Sequence, residues 1–295
     1  MIEINDIEFS YRRSGAPALD GITARIEPGI HLLAGENGAG KTTLLHLLSG
    51  VSRPDKGSIS INGKNPASTD VKDMGRTFLL EESQTFPGQS IRQFAKLHSR
   101  FYPHFSAENF IHNLSAFGLT GDEAMDKLSL GNRKKSQLAY VLALGVDVLL
   151  LDEPTNALDI EGRTTLRKII GRSVGEHQSL IISTHSVTEL ENLYDGALML
   201  RRSHLIYAGT ADDVSSRLSF TVTRMPDPEA IYKEIQVGRV LNIVPATDEA
   251  EPTSVNWRLL YSALHSPQGE DILMILKSPI TSYCISTDYP QEYGK

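Results

Sequence analysis

The chain opens on alternation. Ile2, Ile4, Ile7 and Phe9 are separated by polar residues, the period of a strand with one buried face. A second strand-like segment covers residues 22–26, and Glu27-Pro28-Gly29 then turns the chain into the short apolar run 30–34. Two or more antiparallel strands therefore precede that run. Over residues 42–49 the period changes. Leu44, Leu45, Leu47 and Leu48 fall at helical spacing, and Gly50 stops the helix. Residues 58–61 alternate again into Asn62-Gly63, a strong short-range hairpin signal.

From Gln89 to Leu128 the pattern becomes helical. Ile91, Phe94, Ala95 and Leu97 form one face, and Phe110, Ile111, Leu114 and Phe117 another. Ser106 with Asn109 reads as a helix start and Gly118 as a stop. This predicts a helical insertion of about 40 residues. Together with the next predicted helix, over about 133–144, the helical region runs from about 89 to 145. The charged run Arg133-Lys134-Lys135 reads as a solvated face of that helix. Residues 148–151 are continuously apolar and too short for a helix, which suits a central parallel strand ending in Asp152-Glu153. A helix follows Asp159 with Leu166, Ile169 and Ile170 inward. Residues 180–182 repeat the apolar strand, which ends in Ser183-Thr184-His185. After Thr210 the pattern weakens to a strand over 219–225, a short helix over 228–235, a strand over 240–244 and a polar loop over 247–254. The predicted organisation is a large α/β domain over 1–215 and a small, separable α+β region over 216–295.

The residues between the run 30–34 and the following helix carry the chemistry. Gly35-Glu36-Asn37-Gly38-Ala39-Gly40-Lys41-Thr42-Thr43 fits the phosphate-loop pattern without a mismatch, and strand, glycine loop, helix is its required context. Glycines let successive backbone N–H groups face inward, and the helix adds its free N–H groups and the positive end of its dipole. Lys41 is placed to bridge terminal phosphates and the Thr42 hydroxyl to hold Mg²⁺. A glycine turn that binds nothing is the bland alternative, and the Lys-Thr pair argues against it. In open α/β sheets ligands sit at the carboxyl ends of strands, so Lys41, Asp152, Glu153 and His185 should converge. Asp152 can bind the metal from the side opposite Thr42. Glu153 can take a proton from an attacking water. His185 can contact the terminal phosphate.

Composition adds exclusions. The 295 residues carry a net charge of −7 without a basic block, a poor match to non-specific nucleic-acid binding. The single cysteine, Cys284, excludes an internal disulfide and fits a reducing compartment. The first residues show no signal-peptide pattern. Residues 138–151, the most apolar stretch, are too few for a membrane span and contain Asp147.

These motifs, in this order and at these separations, resemble those of ABC-type ATPases, the nucleotide-binding subunits of ABC transporters, over about residues 1–215. Leu128-Ser129-Leu130-Gly131 resembles the signature sequence, residues 148–154 the second nucleotide motif, Asn156-Ala157-Leu158-Asp159 the D-loop and His185 the switch histidine. Tyr11 falls where the family stacks an aromatic ring on adenine. The resemblance implies ATP hydrolysis with Mg²⁺. It also implies a second ATPase subunit packed head to tail, so that Ser129, Gly131 and Asp159 serve the ATP held by the partner's phosphate loop. It implies a separate membrane permease met near Phe86-Pro87-Gly88 and the helical insertion, and a peripheral place on the cytoplasmic face of the membrane. Residues 101–105 resemble exporter-type subunits linked to antibiotics or cell-envelope stress in Gram-positive bacteria. Two departures stand out. Leu130 and Asn132 replace the usual glycine and glutamine. The loop that should bring a glutamine to the metal offers Glu81, with Gln84 as the other candidate. Soluble ABC ATPases acting on ribosomes or DNA, and a non-hydrolytic nucleotide switch, are the competing readings.

Overall fold

Leu33, Val148, Leu150, Ile181 and Leu198 belong to one buried apolar cluster, while Leu32, Leu149, Leu151, Leu180 and Ile182 belong to another. Neighbours along each run thus point to opposite sides, as they must in a sheet buried on both faces. A computed structural model describes residues 1–12, 15–68, 75–84, 90–247 and 251–278. Its central sheet has six strands in the order β5-β6-β7-β3-β8-β9. These are β3 (Gly29–Gly35), β5 (Thr77–Leu80), β6 (Val148–Asp152), β7 (Ser179–Thr184), β8 (Gly196–Arg201) and β9 (His204–Thr210). All neighbours are parallel except β8 and β9.

One face of this sheet is covered by α1 (Lys41–Leu48) and by a three-stranded antiparallel sheet. That sheet pairs β2 (Leu19–Ile26), β1 (Ile2–Phe9) and β4 (Lys56–Ile61). The Asn62-Gly63 turn forms with both residues at positive φ, but its second arm is a single bridge between Ile61 and Lys64. The other face is covered by helices α2 (Ile91–His98), α3 (Ala107–Ala116), α4 (Leu130–Val141) and α5 (Ile160–Ser173). Ser90 caps α2 in a reciprocal box with Gln93, and Ser106 caps α3 through Asn109 N–H. Ile111, expected inward, is 52% exposed.

Two sequence expectations fail here. The helix expected from 133 begins at Leu130, and Lys134, four and seven residues before Leu138 and Val141, shares their inward face at 4% exposure. Arg133-Lys134-Lys135 is therefore not a solvated face. The short helix expected over 228–235 is instead a turn followed by β11 (Tyr232–Gln236). Asp227 accepts the Glu229 N–H (2.9 Å), and the chain then pairs antiparallel with β12 (Arg239–Pro245), which also pairs with β10 (Leu218–Thr223). The pairing overrides a weak local helical preference.

The region after 215 also contains two helices that the sequence pattern did not mark, α7 (Trp257–Leu264) and α8 (Gly269–Lys277). It is not a loosely attached extension. Trp257, Leu260, Ala263 and Ile272 are at most 1% exposed and lie in the same cluster as Leu151 and Ile182 of the central sheet. The Trp257 indole N–H donates to Tyr194 O (3.3 Å). Phe86, Pro87, Gly88 and Cys284 lie outside the described residues. Among the described residues no helix is long and apolar enough to cross a membrane.

Candidate functional site

Strand order explains why the predicted residues meet. β7 lies between β6 and β3, with Asp152 level with Ser183 and Ala34 level with Thr184. The carboxyl ends of three neighbouring buried strands therefore open at one place. The loop after β3 curls there. Gly40 has φ 107°, and a Cβ at Gly40 would lie 2.7 Å from Ala18 O and 2.6 Å from Leu19 Cδ2, so only glycine fits. Gly40 is also the residue before α1 and supplies no side-chain cap, leaving the first amides of the helix directed at the loop.

A cavity of about 510 Å³ opens at these tips. It is lined by Tyr11, the loop residues Asn37, Gly38, Gly40, Lys41, Thr42 and Thr43, and the tip residues Asp152, Glu153 and His185. Lys41 is 8% exposed, and its ammonium donates to Gly35 O (2.7 Å) and Glu36 O (3.2 Å). Burial holds its pKa below the usual lysine range, while Glu153 and Asp152 pull it back up. Thr42 Oγ1 donates to Asp152 Oδ2 (2.8 Å), and Ser183 Oγ donates to Asp152 Oδ1. Tyr11 stands at the rim, its hydroxyl 3.1 Å from Thr43 Oγ1 and its ring edge-on to Phe9. Ala39 is buried beneath the loop and donates its N–H to Glu36 O.

Glu153 is held in an unusual way. Its φ is 44°, uncommon for a residue with a side chain, and its N–H is fixed by Ser183 O (3.1 Å). Oε1 accepts the His185 backbone N–H and lies 3.0 Å from His185 Nδ1. Oε2 is buried without a hydrogen-bond partner. A carboxylate at the wall of the cavity with one oxygen not engaged in a hydrogen bond keeps the capacity a proton acceptor needs.

The oxygen set suits Mg²⁺, which is usually held by one or two carboxylates together with substrate phosphates and water. Thr42 Oγ1 and Asp152 Oδ2 are two such oxygens, already within hydrogen-bond distance of each other. Glu81 is not brought to them. Its Oε1 is bound to His46 Nε2 (2.6 Å), outside the cavity. Gln84 also turns away, its side-chain oxygen facing Glu81 N and its carbonyl accepting from Gln137 Nε2 (2.7 Å). The acid that does line the cavity is Glu82, which accepts from Asn156 Nδ2 at 2.6 Å. Sequence reasoning missed Glu82, Asn156 and Ser183. The available signal for Ser183 was its place at the polar end of an apolar run, as Asp152 stands at the end of another.

Ser129, Gly131 and Asp159 stand apart from this cavity. Ser129 caps α4, its Oγ accepting Asn132 N–H (3.2 Å). A Cβ at Gly131 would lie 2.9 Å from Ala157 O, so the start of α4 lies close against the loop before α5. Asp159 caps α5 through Gly162 N–H (2.8 Å) and pairs with Lys135 (3.1 Å), contacts that hold its carboxyl below the usual range. Beside them Leu130 and Ile160 are 70% and 86% exposed.

The site and sheet define a phosphate-loop nucleotide-binding domain. The family model described as ABC transporter matches residues 19–156. An energy-coupling factor transporter ATP-binding protein of Methanospirillum hungatei is 32% identical over 232 residues, covering 73% of this chain and 57% of that protein. A sulfate/thiosulfate import ATP-binding protein of Mycobacterium bovis is 31% identical over 244 residues, 78% of this chain and 70% of that protein. Among solved structures, a dimeric ATP-binding cassette in a post-hydrolysis state with ADP and Pi superimposes with a TM-score of 0.61 at 16% identity. It covers 71% of this chain and 98% of that one. The chain belongs to the ABC transporter family and carries the ATPase domain of that family.

Proposed function

We propose that this chain hydrolyses ATP to drive a transporter, paired head to tail with a second ATPase subunit around two ATP and docked on a separate permease at the cytoplasmic face of a membrane. The observation that carries the proposal is the split between the two groups of motif residues. Lys41, Thr42, Asp152, Glu153 and His185 share one cavity. Ser129, Gly131 and Asp159 face elsewhere, on a surface with two exposed aliphatic side chains. A chain whose site is complete only against another copy or relative would be built this way, and the solved dimeric cassette with ADP and Pi is a structural parallel.

In this mechanism the loop amides and Lys41 hold the β- and γ-phosphates, and Tyr11 stacks on the adenine. Thr42 and Asp152 hold Mg²⁺, which supplies positive charge at the phosphate oxygens. Glu153 Oε2 accepts a proton from the attacking water, while His185 fixes Oε1 and reaches toward the terminal phosphate. Across the dimer, the Ser129 hydroxyl and Gly131 N–H meet the γ-phosphate of the partner's ATP, and Asp159 braces that face. The net charge of −7 fits a protein partner better than nucleic acid. In the segment that resembles exporter subunits, Phe101 is 60% exposed and Phe105 packs on Phe110 and Tyr140.

Affinity purification from native cells tests the assignment. The tagged chain should bring a multi-span membrane protein with it, and the pair should release phosphate from ATP faster than the chain alone. Recovery of ribosomes instead would overturn it.

A further inference from the structure

We propose that Lys134 is a positioning residue of the nucleotide site, its buried ammonium balancing the Glu82 carboxylate so that a third acid can line the cavity beside Asp152 and Glu153. The inference rests on the ATPase reading above.

Lys134 sits one turn into α4 and is 4% exposed. Its Nζ is shut off from solvent and has no hydrogen-bond partner. An ammonium has three donors and no means of neutralising itself except by losing a proton, so burial without a partner is among the costliest arrangements a protein can hold. Such a group persists where nearby charge requires it. Burial holds its pKa below the usual lysine range, and Glu82 first, then Asp152 and Glu153, pull it back up.

The surroundings tie Lys134 to Glu82 in particular. Gln137, three residues further along α4, donates to Gln84 O at 2.7 Å and so fastens the helix to the segment that carries Glu82. Glu82 is oriented from the other side by Asn156, which also lines the cavity. Among the lining residues three carboxylates, Glu82, Asp152 and Glu153, face a single buried cation, Lys41. A polyphosphate entering that field would meet an excess of like charge. A second ammonium behind the wall offsets one of the three without occupying the space the phosphates need.

A purely structural lysine makes the opposite forecast. Replacing a buried, unpaired charge by an apolar side chain of similar length should leave function alone and stabilise the fold. The test is a double-mutant cycle on the full chain with Lys134→Met, Glu82→Gln and both together. Three quantities are read: kcat/KM for ATP from phosphate release with Mg²⁺, affinity for ATP without Mg²⁺, and Tm. Lys134→Met should lower kcat/KM by about tenfold and weaken Mg²⁺-free binding about threefold, with Tm unchanged or raised. Adding Glu82→Gln should restore both to within about twofold of the Glu82→Gln single variant. Wild-type kcat/KM and affinity in Lys134→Met would overturn the proposal, as would losses of equal size with Glu82 and with Gln at that position. If Lys134→Met does not fold, Lys134→Gln is read by the same criteria. Should the wild-type chain release no phosphate under any condition, the ATPase reading fails, while the Mg²⁺-free binding arm still decides whether Lys134 and Glu82 are coupled.

Discussion

The nucleotide cavity and the signature face are adjacent in sequence and held by opposite means. Asp152, Glu153 and Lys41 are 6%, 8% and 8% exposed and sit at the ends of buried elements, so interior packing fixes them. Ser129 and Asp159 precede α4 and α5, and each is fixed by the cap it supplies. Leu130 and Ile160 beside them remain exposed. The first arrangement preorganises groups around a small ligand. The second keeps a backbone surface in shape while leaving side chains free to be covered.

The comparison breaks or sharpens under substitution, the largest effect being expected in the cavity. Glu153→Gln should lower steady-state phosphate release about 10²–10⁴-fold, about 3–6 kcal/mol of barrier, and leave ATP binding intact. Retention of more than half the wild-type rate would remove Glu153 from the chemistry.

Trp257→Ala tests the support that both regions share. Trp257 is 1% exposed and lies in the cluster beneath β6 and β7, so the cost should be about 3–5 kcal/mol in urea denaturation. Cavity and face should be lost in one transition. Two separate transitions would mean that the C-terminal region is a separate unit after all.

Ser129→Arg acts on the face alone. In the Glu153→Gln background it should abolish the ATP-driven dimer peak in size-exclusion chromatography while monomer affinity for ATP stays within about twofold. Loss of the cap should cost about 0.5–2 kcal/mol. An unchanged dimer peak would detach Ser129 from the partner's site.

The smallest effect lies in neither region. His31 is buried within β3, with Nε2 2.8 Å from Glu27 O, and burial lowers its pKa against opposing effects of Glu27 and Asp195. The folded state thus resists the proton that the unfolded chain accepts near the usual histidine value of about 6.5. Stability from this group is present above that pH and is lost as pH falls below it, by at most about 1.4 kcal/mol per pH unit. Denaturation curves at pH 5 and pH 8 should show that loss in wild type and a smaller one in His31→Gln. Equal losses in the two proteins would assign the slope to other groups.

What could be read from the chain follows from how local each feature is. The loop over 35–43, the apolar strands ending in Asp152 and His185, and the caps at Ser106 and Asp159 are each specified within a few residues, and the structure bears out these elements. Glu82 is different. Its place depends on where β5 ends and on an asparagine 74 residues away, neither of which leaves a local trace. Lys134 was misread because its charge points to solvent while its spacing, four and seven residues before Leu138 and Val141, puts it on the buried face of α4. Strand β11 was misread because Asp227 turns the chain where Pro228 and Glu229 suggest a helix start, and its pairing partner comes later in the sequence. Helices α7 and α8 carry ordinary amphipathic patterns without a motif, and only their packing under the central sheet gives them importance.

Trp257 and Arg258 reach back to the short turns Val187–Glu189 and Glu191–Leu193, which directly follow His185. Trp257 Nε1 donates to Tyr194 O, Glu191 Oε1 accepts the Arg258 N–H, and Arg163 pairs with Glu189 from α5. In the language of hydrogen exchange, contacts of this kind should make these turns and the C-terminal helices open as one cooperative unit. Amides of residues 187–194 should therefore exchange in step with those of α7, at the same free energy of opening, and not with the antiparallel sheet β2-β1-β4. Faster exchange of 187–194 than of α7 by more than about tenfold would separate the two. Exchange in step would tie the loosening of the histidine end of the nucleotide cavity to that of helices that make no contact with it.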